Sequence, residues 1–182
     1  MGREITKIGL AVFDNDRLLL VRKCGSGIYI LPGGKPVRGE DDAQTLVREI
    51  DEELGCRIQL SNLLFLGSFS DDAADLPDVR VTVRLYQGRL VGAPSPRSEI
   101  DELLWFTPNV RRPVALAPSL RNSILPFLAS SNPAWNQDSA SLDFVVQPAH
   151  KATEPILEVA HSSVVCKPVR SRRNYRSRSE QV

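Results

Sequence analysis

Three observations predict an α+β domain in this chain. Residues 5–13, 17–21, 28–35, 63–69 and 79–86 are rich in β-formers, a helix-period pattern runs from Asp41 to Leu54, and a second such pattern covers residues 116–128. The chain has 182 residues, 42% hydrophobic and 25% charged, an ordinary balance for one globular catalytic domain. It has no apolar run of about 18 residues and no signal-peptide pattern at its start, so neither membrane insertion nor secretion is expected. Cys24, Cys56 and Cys166 are odd in number and lack metal-ligand spacing, which reads as a reduced, cytoplasmic setting.

The first two β-runs flank Asp14-Asn15-Asp16, a hairpin signal, and the second ends in Arg22 and Lys23. Cys24 follows; as a nucleophile it would need a base, and no His occurs in the first 149 residues. Residues 28–35, IYILPGGK, read as a strand entering Pro-Gly-Gly, where paired glycines open backbone conformations closed to other residues and allow a ligand close approach.

The central helix has two working sides. Ala43, Leu46, Val47, Ile50 and Leu54 recur at spacings of three and four and would pack on a sheet. Asp41 is the expected N-cap with Gln44 completing a capping box, and Gly55 supplies a left-handed stop. On the other side Glu49 has Glu52 and Glu53 as its i+3 and i+4 neighbours. At about 6 Å and an effective dielectric of about 20, each like-charged pair costs about 3 kcal/mol, so something positive must offset them. Arg48 can neutralise one carboxylate, whereas Mg²⁺ or Mn²⁺ takes several hard oxygen ligands together.

Residues 34–56, GKPVRGEDDAQTLVREIDEELGC, resemble the signature of the Nudix hydrolases, G-x5-E-x7-R-E-U-x-E-E-x-G-U, with U a bulky apolar residue. Gly34, Glu40, Arg48, Glu49, Glu52, Glu53 and Gly55 fill the seven fixed positions and Ile50 the first apolar one; Cys56 is smaller than the usual final residue. The resemblance implies an α/β Nudix fold, an α/β/α sandwich with a mixed sheet, over residues 3–128. It also implies metal held by Glu49, Glu52, Glu53 and the Gly33 carbonyl, with Arg22 and Lys35 facing substrate phosphate. Arg48 would orient a neighbouring Glu, and Glu40 would join that supporting shell or hold the loop. In the reaction so implied, a metal-bound water loses its proton to Glu53 or Glu99 and attacks phosphorus.

Beyond the box, Val81, Val83 and Leu85 alternate onto one face of a strand, and residues 70–78 read as an acidic loop bordering the pocket. Residues 90–96 read as a strand end and a Gly/Pro turn. Residues 98–106 resemble the family's stretch in which an acid outside the box reaches back to the metals; Glu99, six residues before Trp105, is the candidate and Glu102 its rival. The closing helix presents Leu120, Ile124, Phe127 and Leu128 as its inner face.

Residues 129–182 change texture to Ser, Asn, Pro and Gln and read as a flexible tail. Its end carries Lys167, Arg170, Arg172, Arg173, Arg176 and Arg178 without an intervening acid, a run that is solvated or contacts nucleic acid or the chain's own acidic surface. The expected function is metal-dependent hydrolysis of a nucleoside diphosphate linked to another group, and the LPGGK start leans toward nucleoside triphosphates, oxidised ones included. The alternatives are a catalytically silent nucleotide-sensing or RNA-associated module, and a diphosphate isomerase that would need Cys24 as a nucleophile. Paired subunits are common in the family, so a homodimer is a further expectation.

Overall fold

Runs of four buried residues in the central strands, whose successive side chains point to opposite faces, feed two separate apolar clusters on opposite sides of the β-structure. The computed structural model describes residues 3–74, 76–108 and 113–131. In chain order the elements begin with β1 (Arg3–Ala11), β2 (Phe13–Asp14), β3 (Arg17–Lys23), β4 (Tyr29–Ile30), β5 (Gly33–Gly34) and α1 (Asp42–Leu54). They continue with β6 (Arg57–Ile58), a short 3-10 turn at Leu60–Asn62, β7 (Leu64–Asp72), β8 (Val79–Gln87), β9 (Leu90–Val91) and β10 (Ile100–Phe106). A π-helical turn, Leu120–Ile124, then leads into α2 (Leu125–Ser131).

One sheet has the order β5-β1-β8-β7 and is mixed, since β1 runs parallel to β8 while the other pairs are antiparallel. The second, β10-β3-β2 with β4 added beside β3, is antiparallel, and β6 and β9 form a two-stranded ribbon. Alternation along β3 connects both clusters. Leu19 and Val21 join Leu46, Ile50 and Leu54 of α1, whereas Leu18 and Leu20 join Leu120, Ile124, Leu125 and Leu128. Helices thus cover both faces of the β-layer, the α/β/α arrangement. Each fully buried leucine contributes about 2 kcal/mol by its removal from water.

Helix α1 starts and stops on its own local signals. Asp41 accepts from the Gln44 amide and Gln44 returns the bond to the Asp41 amide, while Gly55 takes the left-handed conformation at φ 64°. Tyr86 and Arg84 of β8 both hold Asp42 in the first turn, at 2.7 and 2.8 Å. These bonds fix the direction in which the acidic ridge points.

Several expectations are corrected. Val47 is 41% exposed and Thr45 is buried, because the packed stripe of α1 is turned from the apolar pattern toward the side that carries Thr45 and Glu53. Residues 28–35 form two short strands, not one: after β4 pairs with β3, Leu31 and Pro32 carry the chain across so that β5 pairs with β1. Ser70, Asp71 and Asp72 extend β7, leaving a shorter acidic loop. Leu90 and Val91 pair with β6. The closing helix buries Leu125 together with Leu120, Ile124 and Leu128, five positions after Leu120 as a π-turn spaces its side chains, while Phe127 is only partly buried against them. Residues 129–131 belong to α2, and the remainder of the tail with its basic end lies outside the described residues. Among the described residues no helix is long and apolar enough to cross a membrane.

Candidate active site

A cleft of about 520 Å³ is lined by residues of β1, β3, β5, β8 and α1. Its charged rim carries Lys7 from β1, Lys23 at the end of β3, Lys35 after β5, Glu49 from α1, and Glu99 just before β10. Ile5, Ile28, Val81, Leu120 and Ile124 form an aliphatic wall.

Gly33 and Gly34 make the contact between this rim and α1 possible. Gly33 has φ 127°, and a Cβ there would lie 2.2 Å from the Ile8 carbonyl oxygen. A Cβ on Gly34 would lie 2.2 Å from Glu49 Oε1, so the helix carboxylate sits directly against the strand backbone. The Gly33 amide donates to Glu53 Oε2 at 2.8 Å.

Glu53 is the buried carboxylate of the ridge, 1% exposed. Its Oε1 has no hydrogen-bond partner, and the Lys23 ammonium lies 3.6 Å away. Burial, reinforced by the fields of Glu49 and Glu99, outweighs the Gly33 bond and Lys23 and pushes its pKa up to about 7. Lys23 also donates to Glu99 Oε1. Burial opposes the charge of Lys23, but Glu99 and Glu53 hold its pKa above the usual lysine value. Lys7 is held below it, by burial and by Lys23 and Lys35 nearby.

Arg48 neutralises the other half of the ridge. It grips Glu40 through two bonds, Nε to Oε1 at 2.6 Å and Nη2 to Oε2 at 2.9 Å, and donates to Glu49 Oε1 at 2.7 Å. Glu52 lies 3.5 Å from the same guanidinium with its side chain 55% exposed, and it does not line the cleft. Glu40 further accepts from the Val37 amide and the Thr45 hydroxyl, and the Arg48 bond leads these in lowering its pKa to about 2.

The structure therefore brings Gly33, Lys35, Glu49 and Glu99 to one cleft with Glu53 behind them. It does not bring Arg22 there. Arg22 pairs with Asp101 and Glu102 at 3.0 and 2.9 Å and lies over Tyr29, 5.7 Å from the ring centroid. Adjacent strand residues point to opposite faces, so the cleft receives Lys23 and the other face receives Arg22. Glu102, the rival of Glu99, is occupied by that arginine. Lys7 and Lys23 were missed by sequence reasoning; the period of β3 separates Lys23 from Arg22, but which of them meets the cleft is decided by the packing of Leu19 and Val21 on α1.

The profile of the NUDIX domain matches residues 5–126. The chain belongs to the Nudix family. Its enzyme class is that of the Nudix pyrophosphohydrolases, which act on acid anhydrides in phosphorus-containing compounds. No curated protein matches the chain in sequence. Among solved structures, the E. coli ORF135 protein is 22% identical with a TM-score of 0.57, covering 75% of this chain and 96% of that one. The MutT protein of Methanosarcina mazei Go1 is 19% identical, TM-score 0.57, with 72% and 97% covered. A MutT Nudix hydrolase from Burkholderia pseudomallei is 24% identical, TM-score 0.53, with 62% and 91% covered. At these identities the likeness speaks for the Nudix fold.

The donor set suits a divalent cation of the Mg²⁺ class. Glu53 Oε1 is a buried oxygen lacking a hydrogen bond, and the surrounding donors are hard carboxylate oxygens. Among the described residues no three acidic, thiol or imidazole side chains already converge on one point. Arg48 and Lys23 occupy them instead, offsetting the crowded charge that the sequence assigned to a metal. Cys56, which fills the last apolar position of the box, is a free and buried thiol, 1% exposed.

Proposed function

We propose that this Nudix enzyme hydrolyses a phosphoanhydride bond in a nucleoside diphosphate linked to a further group, a nucleoside triphosphate among them. The observation that carries the proposal is Glu53: one oxygen fixed by the Gly33 amide, the other buried and without a hydrogen bond, beside Lys23 and Glu49. Glu49, Glu53 and Glu99, with the Gly33 carbonyl, would hold Mg²⁺ or Mn²⁺, and Glu52 would join on turning from Arg48. Such a cation, when bound, supplies an acidified water and offsets charge on the phosphate oxygens.

The chain's own groups account for the remaining steps. Lys7, Lys23 and Lys35 face the cleft and neutralise the substrate's phosphates, a role to which Arg22 is not turned. The aliphatic wall receives the uncharged part of the substrate. Glu53 or Glu99 accepts the proton from the attacking water; both carboxylates stand beside Lys23 at the cleft. Arg48, locked on Glu40, holds Glu49 in position.

A screen of nucleoside triphosphates, sugar nucleotides and dinucleotides with Mg²⁺, reading out phosphate or pyrophosphate, tests this. At least one class is expected to be turned over in a chelator-sensitive manner. Tight nucleotide binding without hydrolysis in Mg²⁺ or Mn²⁺ would overturn the enzyme and establish the sensing module.

A further inference from the structure

Two cations neutralise the acidic ridge, and they are held differently. Arg48 is clamped by both oxygens of Glu40 and by the Lys35 carbonyl, so it cannot leave without breaking a planar, two-pronged pair. Lys23 is a point charge on a flexible stem at the last residue of β3, one-third exposed to the cleft, and it lies between Glu53 and Glu99. We propose that the Lys23 ammonium is an exchangeable internal counter-ion: it holds the place between Glu53 and Glu99 until a divalent cation displaces it, and on release it turns to the substrate's phosphates beside Lys7 and Lys35.

The inference rests on the metal-dependent reading above and goes beyond it. A dication held by the same two carboxylates would compete with the ammonium for the space beside them, and like charges in a partly dry cleft repel strongly. Both cannot stay. The unpartnered Glu53 oxygen shows why the exchange favours metal, since the ammonium at 3.6 Å leaves that buried oxygen without a short contact. Lysine keeps its proton throughout, so at the two carboxylates one cation takes the place of another. Metal loading and presentation of a phosphate-binding charge thereby become a single event.

Mn²⁺ binding to the full chain, measured by the loss of the free-ion EPR signal, tests the exchange. Lys23→Gln is expected to bind Mn²⁺ at least tenfold more tightly than the wild type, while Lys23→Arg and Lys7→Gln stay within about threefold. In chelator Lys23→Gln is expected to melt below the wild type, and saturating Mn²⁺ should close that gap. In the wild type, the Lys23 ammonium resonance should lose its protection from exchange when Mg²⁺ is added, a readout that needs no variant to fold. Equal Mn²⁺ affinity in wild type and Lys23→Gln, an equal gain from Lys7→Gln, or a Lys23 resonance indifferent to Mg²⁺ would overturn the counter-ion role alone. Failure of every form to take up Mn²⁺ would overturn the metal reading with it.

Discussion

At Glu53 burial and charge pull in opposite directions, and the balance can be read in pH. Its pKa is raised from the ordinary 4.5 to about 7, so the folded chain binds the extra proton more tightly than the unfolded one. Stability from this group is fully present below pH 4.5 and lost as pH rises toward 7, by at most about 3 kcal/mol. Melting curves of metal-free wild type and Glu53→Gln should therefore diverge across that window, the wild type falling relative to the variant. The same substitution is expected to lower metal-dependent turnover by orders of magnitude with the fold intact; full activity would remove Glu53 from the site. Glu40 runs the other way, its contribution present above pH 4.5 and lost as pH falls toward 2. Arg48→Lys keeps the charge but loses the two-pronged bond to Glu40, and is expected to weaken Mn²⁺ binding by about 10–100-fold. The residue identities on α1 were legible because cap, stop and ridge are all local signals. The choice between Arg22 and Lys23 was not, because it depends on which face of β3 meets the helix.

At the scale of elements, the two glycines of β5 do different jobs. Gly33→Ala forces a side chain into a left-handed backbone against the Ile8 carbonyl, and should cost about 2 kcal/mol or more in chemical denaturation. Gly34→Ala meets only the movable end of Glu49, so its melting temperature should change little while metal-dependent turnover falls at least tenfold. Equal losses of stability in both would show that Glu49 is not placed by Gly34. Element type was readable wherever a period ran for several residues, as in α1 and β8. It was unreadable where two-residue pairings decide the structure, as for β6 with β9, and where a π-turn moved Leu125 inward outside the 3.6-residue pattern.

For the whole molecule, the acidic ridge makes ligand binding and stability one quantity. Mg²⁺ at about 100 times its dissociation constant should add about 2.7 kcal/mol, visible as a rise of several degrees in melting temperature that Glu53→Gln largely loses. The layered architecture followed from the family resemblance, whereas the patterns alone gave strands and helices without their stacking order. That order matters because residues 29–34 stitch the two sheets together, bonded first to β3 and then to β1, and the final stitch also carries the Gly33 amide that holds Glu53. A substitution that wedges the sheets apart to admit a bulkier substrate would therefore tug the seam and slacken the grip on Glu53. Widening the cleft and retuning its proton acceptor are, in this architecture, the same adjustment.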